Sequence, residues 1–224
     1  MTGKISAAGR KKLLSEIYRQ LYQKYGKLRC KLNYSNPFEL LVATILSAQC
    51  TDTRVNQVTP ALFSKFPDAK AFAAAETADV ENAIRTAGLF RNKAKSIMAA
   101  SRRIIENFNG EVPADMASLT SLQGAGRKTA NVVLGDAFGI PGFPVDTHVK
   151  RALNRLGVTA SDDPEKIEAE VNAAIAPEYW VNFSHLLIMH GRETCRAANP
   201  DCGHCPLSTI CKYYKTKRKL NYHE

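Results

Sequence analysis

The fold is decided by one short stretch, Leu122-Gln123-Gly124-Ala125-Gly126-Arg127-Lys128-Thr129-Ala130. Gly124 and Gly126 permit backbone angles that other residues resist, so the stretch predicts a tight hairpin between two helices. Lys128 follows where the second helix begins, and Asp146 stands eighteen residues later, at the start of the next predicted helix. One segment therefore offers backbone amides for an anion, an amine and a carboxylate.

Two other structures compete for the same glycines. A nucleotide-binding P-loop is rejected, because Arg127 separates Gly126 from Lys128, the spacing G-x-x-x-x-G-K-[ST] is absent and no predicted strand precedes it. A plain interhelical turn stays open, since glycine pairs are common in turns without any function. As a functional hairpin, the stretch would hold DNA through phosphate without reading base sequence.

The lysine and the carboxylate are predicted to work together. Lys128 lies in the first turn of a helix beside Arg127, where both the macrodipole and the neighbouring cation favour a neutral amine nucleophile. Asp146, as a helix N-cap, accepts backbone amides and stays ionised. An amine beside a fixed anion suits attack at the anomeric carbon of a sugar. Taken singly, a phosphate-binding lysine and an ordinary N-cap are the commoner interpretations; with the hairpin, we predict catalysis.

Composition and net charge limit the kinds of partner that the protein is expected to bind. The 224 residues are 45% hydrophobic and 23% charged, as in ordinary folded soluble proteins. No signal peptide or membrane-spanning stretch is evident, so we expect a cytoplasmic protein, nucleoid-associated in a bacterium, with no membrane partner. The net charge of +10 favours a polyanionic partner, although charge alone weighs nucleic acid and a merely basic protein equally.

Four of the six cysteines crowd together near the C-terminus, with the spacing C-x6-C-x2-C-x5-C. In a reducing compartment such a cluster indicates a metal site rather than disulfides. Four thiolates can surround a zinc ion or a cubane iron–sulfur cluster, and the spacing alone leaves both open. The four are Cys195, Cys202, Cys205 and Cys211, whereas Cys30 and Cys50 are predicted core residues.

Apolar residues at helical spacing, with glycine and proline between the segments, predict an all-α chain. Asn36 is a predicted N-cap followed by Pro37, with Glu39 closing a capping box. Thr51 or Asp52 caps the next helix. Thr77 is predicted to cap a helix that ends at Gly88, and the link 139–144 is the best domain boundary. The later helices are predicted at 92–107, 115–122, 127–138, 146–156, 164–175 and 179–190.

Together these motifs resemble the endonuclease III family, DNA glycosylases with AP-lyase activity in the helix-hairpin-helix superfamily. The likeness runs from about Leu32 to Cys211. It rests on the hairpin stretch, on Val145-Asp146-Thr147-His148 and on the four-cysteine loop. Supporting matches are Phe38-Glu39-Leu40-Leu41, Leu46-Ser47-Ala48-Gln49 with Thr51-Asp52, Gly88-Leu89, Asn109-Gly110-Glu111-Val112-Pro113 and His190-Gly191-Arg192.

The resemblance implies a two-lobed, all-α helix-hairpin-helix glycosylase fold. A six-helix barrel domain containing the hairpin would span residues 30–140. Residues 1–29 and 141–224 would form a second domain, in which the four cysteines bind a structural [4Fe–4S] cluster. The partner implied is double-stranded DNA containing damaged bases or abasic sites, kinked and bound by a monomer, with the damaged base flipped out.

The resemblance also implies residue roles. Lys128 would be the nucleophile and later the Schiff-base lysine, with Asp146 as its catalytic partner. Gln49 would fill the gap left by the flipped nucleotide, and Leu89 would wedge into the opposite strand. Further DNA contacts would come from Gly124, Gly126, Arg127 and His148, and the lesion pocket would include Ser47 and Asp52.

Structural alternatives remain for some of these residues. A hydrogen bond at a helix end would explain Gln49, a hydrophobic contact would explain Leu89, and a helix cap would explain Asp52. The hairpin also departs from its family, which usually has proline where this chain has Gln123. The loop at 196–201 is less basic than expected, while the tail after Cys211 is longer and basic, so part of the DNA affinity is expected in the tail.

The function implied is a bifunctional glycosylase that removes oxidised pyrimidines from duplex DNA and cuts the strand 3′ to the abasic site by β-elimination. One alternative is the monofunctional adenine glycosylase of the same superfamily, which lacks the lysine. The other is a DNA-binding module without catalysis, which would give Lys128 and Asp146 no reason to occur together.

Overall fold

The computed structural model describes the backbone of residues 5–220 and the side chains of residues 5–217. Every regular element in that part of the chain is helical, as the sequence predicts. Among these residues, no helix is both long and apolar enough to cross a membrane. The α-helices are α1 (Ala7–Tyr25), α2 (Pro37–Leu46), α3 (Asp52–Lys65), α4 (Ala69–Ala74), α5 (Thr77–Ala83), α6 (Phe90–Phe108), α7 (Met116–Thr120), α8 (Arg127–Val132), α9 (Thr147–Leu156), α10 (Pro164–Asn172), α11 (Trp180–Glu193) and α12 (Lys212–Leu220).

The chain forms two compact units. One is Cys30–Ile140, and the other consists of the described parts of Met1–Arg29 and Pro141–Glu224. Their division falls inside the link at residues 139–144. The naming of the first unit as a six-helix barrel and of the second as an iron–sulfur domain stays a prediction.

Helix α2 lies at the centre of the Cys30–Ile140 unit. Its residues from Leu40 to Leu46 are all buried, and it packs against α3, α6 and α8. The predicted start is confirmed, because the side chain of Asn36 accepts the Glu39 amide at 2.9 Å. The Glu39 carboxylate accepts the amide of Ser35 at 2.6 Å, one residue before the partner that a capping box would give it. This capped, buried helix fixes where the segment after Leu46 begins.

The structure decides between the predicted caps at two other helix starts, those of α3 and α5. Thr51 caps α3, since its hydroxyl accepts the Arg54 amide at 3.2 Å, and Asp52 is the first helical residue rather than the cap. The prediction that Thr77 caps the next helix is wrong. The N-cap is Glu76, which has an extended backbone, and Thr77 is the first residue of α5. Helix α5 also stops at Ala83, and a 3₁₀ turn, Arg85–Ala87, completes the path to Gly88.

The second unit has its own core. Helix α11 packs against both α1 and α9. Leu14, Ile17 and Leu21 of α1 are fully buried together with Phe143 and Phe183. The core therefore joins the N-terminal helix to the C-terminal half of the chain. Helix α9, which begins immediately after Asp146, is one of its walls.

The basic tail is more ordered than the sequence indicated. It continues as α12, which packs against α9. A Cβ placed on Gly157 would lie 3.0 Å from the Lys212 side chain, so the start of α12 is in close contact with the end of α9. Its side chains Lys212, Lys215 and Lys217 are exposed, whereas those of Arg218 and Lys219 lie outside the described residues.

Candidate active site and DNA-binding surface

The predicted hairpin is a β-turn between α7 and α8. The Leu122 carbonyl accepts the Ala125 amide at 3.0 Å, and Gly124 has a φ of +84°. Because Gln123 is not among the residues with positive φ, the turn is type II, with Gln123 and Gly124 at its two central positions. A Cβ on Gly124 would lie 2.8 Å from Cβ of Ser96. Both the angle and the available space therefore require glycine there.

Gly126 serves a different purpose from Gly124. Its φ is −73°, which any residue adopts, and a Cβ there would meet nothing within 4 Å. It is the N-cap of α8 and provides no side-chain cap. The amides of the first turn thus have no acceptor from a capping side chain, and they suit an anion. Arg127 and Lys128 are exposed on that turn.

Cys30 marks the surroundings of Lys128. Burial raises the pKa of this thiol to about 12; the carboxylates of Asp136 and Asp52 act in the same direction, and Lys128 acts against them. Lys128 and Asp52 therefore lie within electrostatic range of one thiol. Cys30 packs against the core of its unit, as predicted.

Gln49 and Leu89 share an uncommon backbone conformation. Their φ angles are 52° and 46°, in the left-handed region that favours glycine. Leu89 is 54% exposed, so a hydrophobic contact would leave more than half of its surface uncovered. The Gln49 side chain is also exposed, and within the described chain no hydrogen bond to it explains its place at the helix end. Both residues project from the surface of the Cys30–Ile140 unit.

Ser47 and Asp52 flank Gln49 in the chain. Ser47 ends α2, and its hydroxyl donates to the Thr44 carbonyl at 2.8 Å. Both Ser47 and Asp52 are half-buried. Their roles in a lesion pocket stay a prediction, because a helix-end serine and a first-turn aspartate are also ordinary features of helices.

Asp146 is an N-cap, as predicted. Its Oδ1 accepts the amides of His148 at 2.8 Å and of Val149 at 2.9 Å. These two bonds hold the half-buried carboxylate at the N-terminal end of α9. His148 is held as well: its Nδ1 lies 3.1 Å from Nη2 of Arg151, and a Cβ on Gly191 would lie 2.7 Å from its Cβ.

Lys128 and Asp146 belong to different units, Lys128 to Cys30–Ile140 and Asp146 to the other. Each is fixed by its own helix start. Their meeting in one active site therefore stays a prediction.

The four clustered cysteines line one cavity. None is in a disulfide. Burial is the main cause that raises the pKa of Cys205 to about 11 and raises those of Cys202 and Cys211, and the neighbouring thiols add to each shift. Within the described residues no three His, Cys, Asp or Glu side chains already converge at metal-binding geometry. The donor set nevertheless fits a thiolate-bound group, since the four cysteines line the same cavity.

Two arginines of α9 hold the loop that follows Cys195. Arg151 donates to the Cys195 carbonyl at 2.9 Å and to the Gly191 carbonyl at 2.8 Å. Arg155 donates to the carbonyls of Arg196 and Ala197 at 2.7 and 2.9 Å, and lies 3.5 Å from the sulfur of Cys195. The helix that Asp146 caps therefore also supports the cysteine loop.

His190 lies beside the cysteines and is buried. Its Nε2 is 3.9 Å from the sulfur of Cys205. Burial, with Lys24 and Arg151 adding to it, lowers the pKa of His190 to about 4. A neutral imidazole therefore borders the cavity near neutral pH.

These features define a helix-hairpin-helix protein. A model of the HhH-GPD superfamily of base excision DNA repair proteins matches residues 42–177. The chain is 51% identical to Endonuclease III of Synechocystis over 205 residues, covering 91% of this chain and 94% of the relative. It is 41% identical to Endonuclease III of Escherichia coli K12, covering 88% and 94%.

A solved structure agrees with these sequence relatives. A trapped covalent intermediate of Endonuclease III with DNA matches with a TM-score of 0.89 and 41% identity, covering 93% of this chain and 98% of that one. The chain belongs to the HhH-GPD superfamily of base excision DNA repair proteins.

Sequence reasoning missed three features. Helix α12 was not predicted, because the tail was interpreted only by its charge. Its apolar and aromatic residues, which lie among the lysines, were the available signal. The roles of Arg151 and Arg155 had no local signal, because their acceptors are backbone carbonyls about forty residues away. Lys93 did have a signal, since it falls on the apolar face of α6 and is buried there.

Proposed function

We propose that this chain is a DNA glycosylase with AP-lyase activity, a base excision repair enzyme that removes oxidised pyrimidines from duplex DNA. The observation that carries the proposal is Lys128, an exposed amine on the first turn after a glycine hairpin. Support comes from the relatives named Endonuclease III, one of which was captured covalently bound to DNA.

The chemistry follows from an amine and a carboxylate. Nζ of Lys128 attacks C1′ of the damaged nucleotide while the bond from C1′ to the base breaks, and the base leaves with a proton. The carboxylate of Asp146, held in place by the two amides whose bonds it accepts, stabilises the positive charge that develops on the sugar. The sugar ring then opens to an imine on Lys128.

Strand cleavage completes the reaction. Loss of a proton from C2′ of the imine drives departure of the 3′ phosphate, which breaks the strand by β-elimination. Water then hydrolyses the imine and frees Lys128. An enzyme without this lysine would stop after base release, so Lys128 is the group that separates a lyase from a monofunctional glycosylase.

The remaining surface residues fit DNA that is opened at the lesion. In this proposal Gln49 enters the gap left by the extruded nucleotide, and Leu89 inserts into the opposite strand. An exposed apolar side chain on a rigid turn suits a wedge between base pairs, where unstacking is least costly at a damaged site. In this proposal phosphates lie against the hairpin amides with Arg127 beside them, and His148 also contacts the DNA.

The net charge of +10 supports binding to a polyanion. The exposed lysines of α12 extend the positive surface of their unit, so removal of residues after Cys211 should weaken DNA binding and reduce its dependence on salt. The proposed enzyme acts as a monomer in the bacterial cytoplasm, where its substrate lies in the nucleoid.

Cys195, Cys202, Cys205 and Cys211 would hold a [4Fe–4S] cluster in the cavity that they line. The cluster would supply a cross-link within its unit, not a step of the reaction. The residues of this chain do the rest: Arg155 directs a donor at the sulfur of Cys195, and Arg151 fixes the loop carbonyls. The cluster is thereby connected to α9, the helix that Asp146 begins.

The test is borohydride trapping on a duplex that contains thymine glycol. We expect a covalent protein–DNA adduct from the wild-type protein and no adduct from Lys128→Ala. Lys70→Ala, which removes an exposed lysine from α4, is the matched control and should trap normally.

Other results would assign another function. Base release without an adduct would identify a monofunctional glycosylase. A protein that binds DNA but neither releases an oxidised pyrimidine nor cleaves at a preformed abasic site would be a DNA-binding module without catalysis. Trapping that persists in Lys128→Ala would move the nucleophile to another residue.

A further inference from the structure

Lys93 is a buried cation close to both proposed DNA probes. It lies in α6, four residues after Leu89, and only 5% of its surface is exposed. Its ammonium donates to the Leu46 carbonyl at 2.8 Å and to the Ala87 carbonyl at 2.7 Å. Burial lowers the pKa of Lys93, while Cys50 acts in the opposite direction.

The two acceptors are the carbonyls at the ends of two helical segments. Leu46 is the last residue of α2, and Ala87 is the last residue of the 3₁₀ turn Arg85–Ala87. Carbonyls at such ends have no partner within their own helix. The Cys50 amide, which would continue α2, instead donates to Ser47 at 3.1 Å. One ammonium therefore satisfies two helix ends that point toward the same position.

Each end leads directly into a probe. Gln49 follows Leu46 by three residues, and Leu89 follows Ala87 by two. Both probes have left-handed backbone angles, which are unfavourable for residues with a Cβ unless the surroundings hold them. The other described non-glycine residues with positive φ are Asn109 and Asn199, a residue type that tolerates this region.

Stability alone does not account for a lysine at this place. The first turns of α6 are at the positive end of its macrodipole, which disfavours a cation. Burial of a charge is unfavourable, and the ammonium donates to two carbonyls rather than to a carboxylate. What the ammonium achieves is geometric, because it links two segments that are distant in sequence.

We infer that Lys93 is a positioning residue that sets the spacing and direction of Gln49 and Leu89, so that both side chains enter the duplex at one lesion. The inference rests on the proposed function, in which these two residues open the DNA. In this proposal Lys93 touches neither DNA nor the reacting atoms. It acts through the Leu46 and Ala87 carbonyls, at which the two loops begin.

The test separates base extrusion from chemistry. Lys93→Met keeps the apolar stem and removes the ammonium. We expect single-turnover excision of thymine glycol from duplex DNA to slow by roughly tenfold to a hundredfold. Borohydride trapping on a single-stranded oligonucleotide with a preformed abasic site, which needs no extrusion, should continue at nearly the wild-type rate. Lys95→Met, an exposed lysine of the same helix, is the matched control and should change neither rate.

A double-mutant cycle tests whether Lys93 acts through the probes. If it does, Lys93→Met should slow a Gln49→Ala/Leu89→Ala background far less than it slows wild type. Equal slowing in both backgrounds, or parallel loss on duplex and single strand, would show a merely structural role and overturn the inference.

If Lys93→Met fails to fold, Lys93→Gln decides. Its amide keeps a donor for one of the carbonyls, and the same selective loss on duplex is expected at smaller size. Wild-type rates in a folded Lys93→Gln would contradict the inference. Absence of trapping by the wild-type protein is a different result, because it refutes the proposed lyase and not the role of Lys93.

Discussion

The two irregular regions on which the proposed function depends are held in different ways. The loops of Gln49 and Leu89 are fixed by one buried ammonium that satisfies two helix ends. The loop from Cys195 to Cys211 is fixed at its edge by two half-buried arginines, while its four thiols face a cavity. The first region is held by contacts within the chain, whereas the second presents four thiols to the proposed cluster.

The largest expected effect comes from the cysteine region. Cys205→Ala removes one of four thiolates, so we expect loss of bound iron and sulfide and a loss of more than about 4 kcal/mol in the free energy of unfolding. Iron and sulfide analysis with thermal denaturation measures both. Cys30→Ala is the control, because this thiol lies outside the cavity and should leave the iron content unchanged. Stoichiometric zinc without iron in the wild-type protein would refute the proposed cluster.

The second effect tests whether the probe region is self-sufficient. Lys93→Met leaves the Leu46 and Ala87 carbonyls without their donor and relieves a buried charge, so we expect a net loss of about 2 kcal/mol in stability. Urea denaturation measures it, with Lys95→Met expected to stay near zero. The iron content should be unaffected; a loss of iron in Lys93→Met would break the distinction between the two regions.

A third, smaller effect concerns the edge of the cysteine loop. Arg155→Met keeps a long stem against Tyr213 but loses the bonds to the Arg196 and Ala197 carbonyls, which should reduce stability by about 1 kcal/mol. Amide hydrogen exchange should become faster at residues 196–199. Lys150→Met on the same helix removes an exposed pair with Asp162 and should leave that exchange as it was. Unchanged exchange in Arg155→Met would show that the cysteines alone order the loop.

The smallest effect is a gain in the hairpin. Gln123 occupies the first central position of a type II turn, where proline fixes a suitable φ before folding. Gln123→Pro should therefore raise stability by about 0.5–1 kcal/mol, mainly by restricting the unfolded chain. Differential scanning calorimetry detects the higher Tm. A lower Tm would mean that the proline ring clashes with Leu122 or that the native fold needs the amide hydrogen of Gln123.

The sequence was sufficient for features that depend on local chemistry. Asn36, Thr51, Asp115 and Asp146 cap helices through bonds to amides two or three residues ahead, and such bonds can be predicted from residue type alone. The end of α5 was mistaken, because the switch to a 3₁₀ turn before Gly88 depends on how the chain must enter α6.

Contacts between distant residues could not be predicted in this way. Lys93 reaches a carbonyl 47 positions earlier, and Arg155 reaches one 41 positions later. The structure places Lys93 among the buried residues of α6, but nothing in the sequence identified the helix ends that it meets. The left-handed angles of Gln49 and Leu89 were equally hidden, since neither residue type favours them.

Those two angles also predict how this chain would respond to selection. Glycine at 49 or 89 would adopt the same backbone without strain and remain folded, with a gain of roughly 1 kcal/mol. A screen for heat resistance alone would therefore drift toward glycine at both positions and would discard the side chains proposed to enter DNA. At these two positions the more stable variant would also be the less active one. Selection for stability and selection for activity therefore act in opposite directions there.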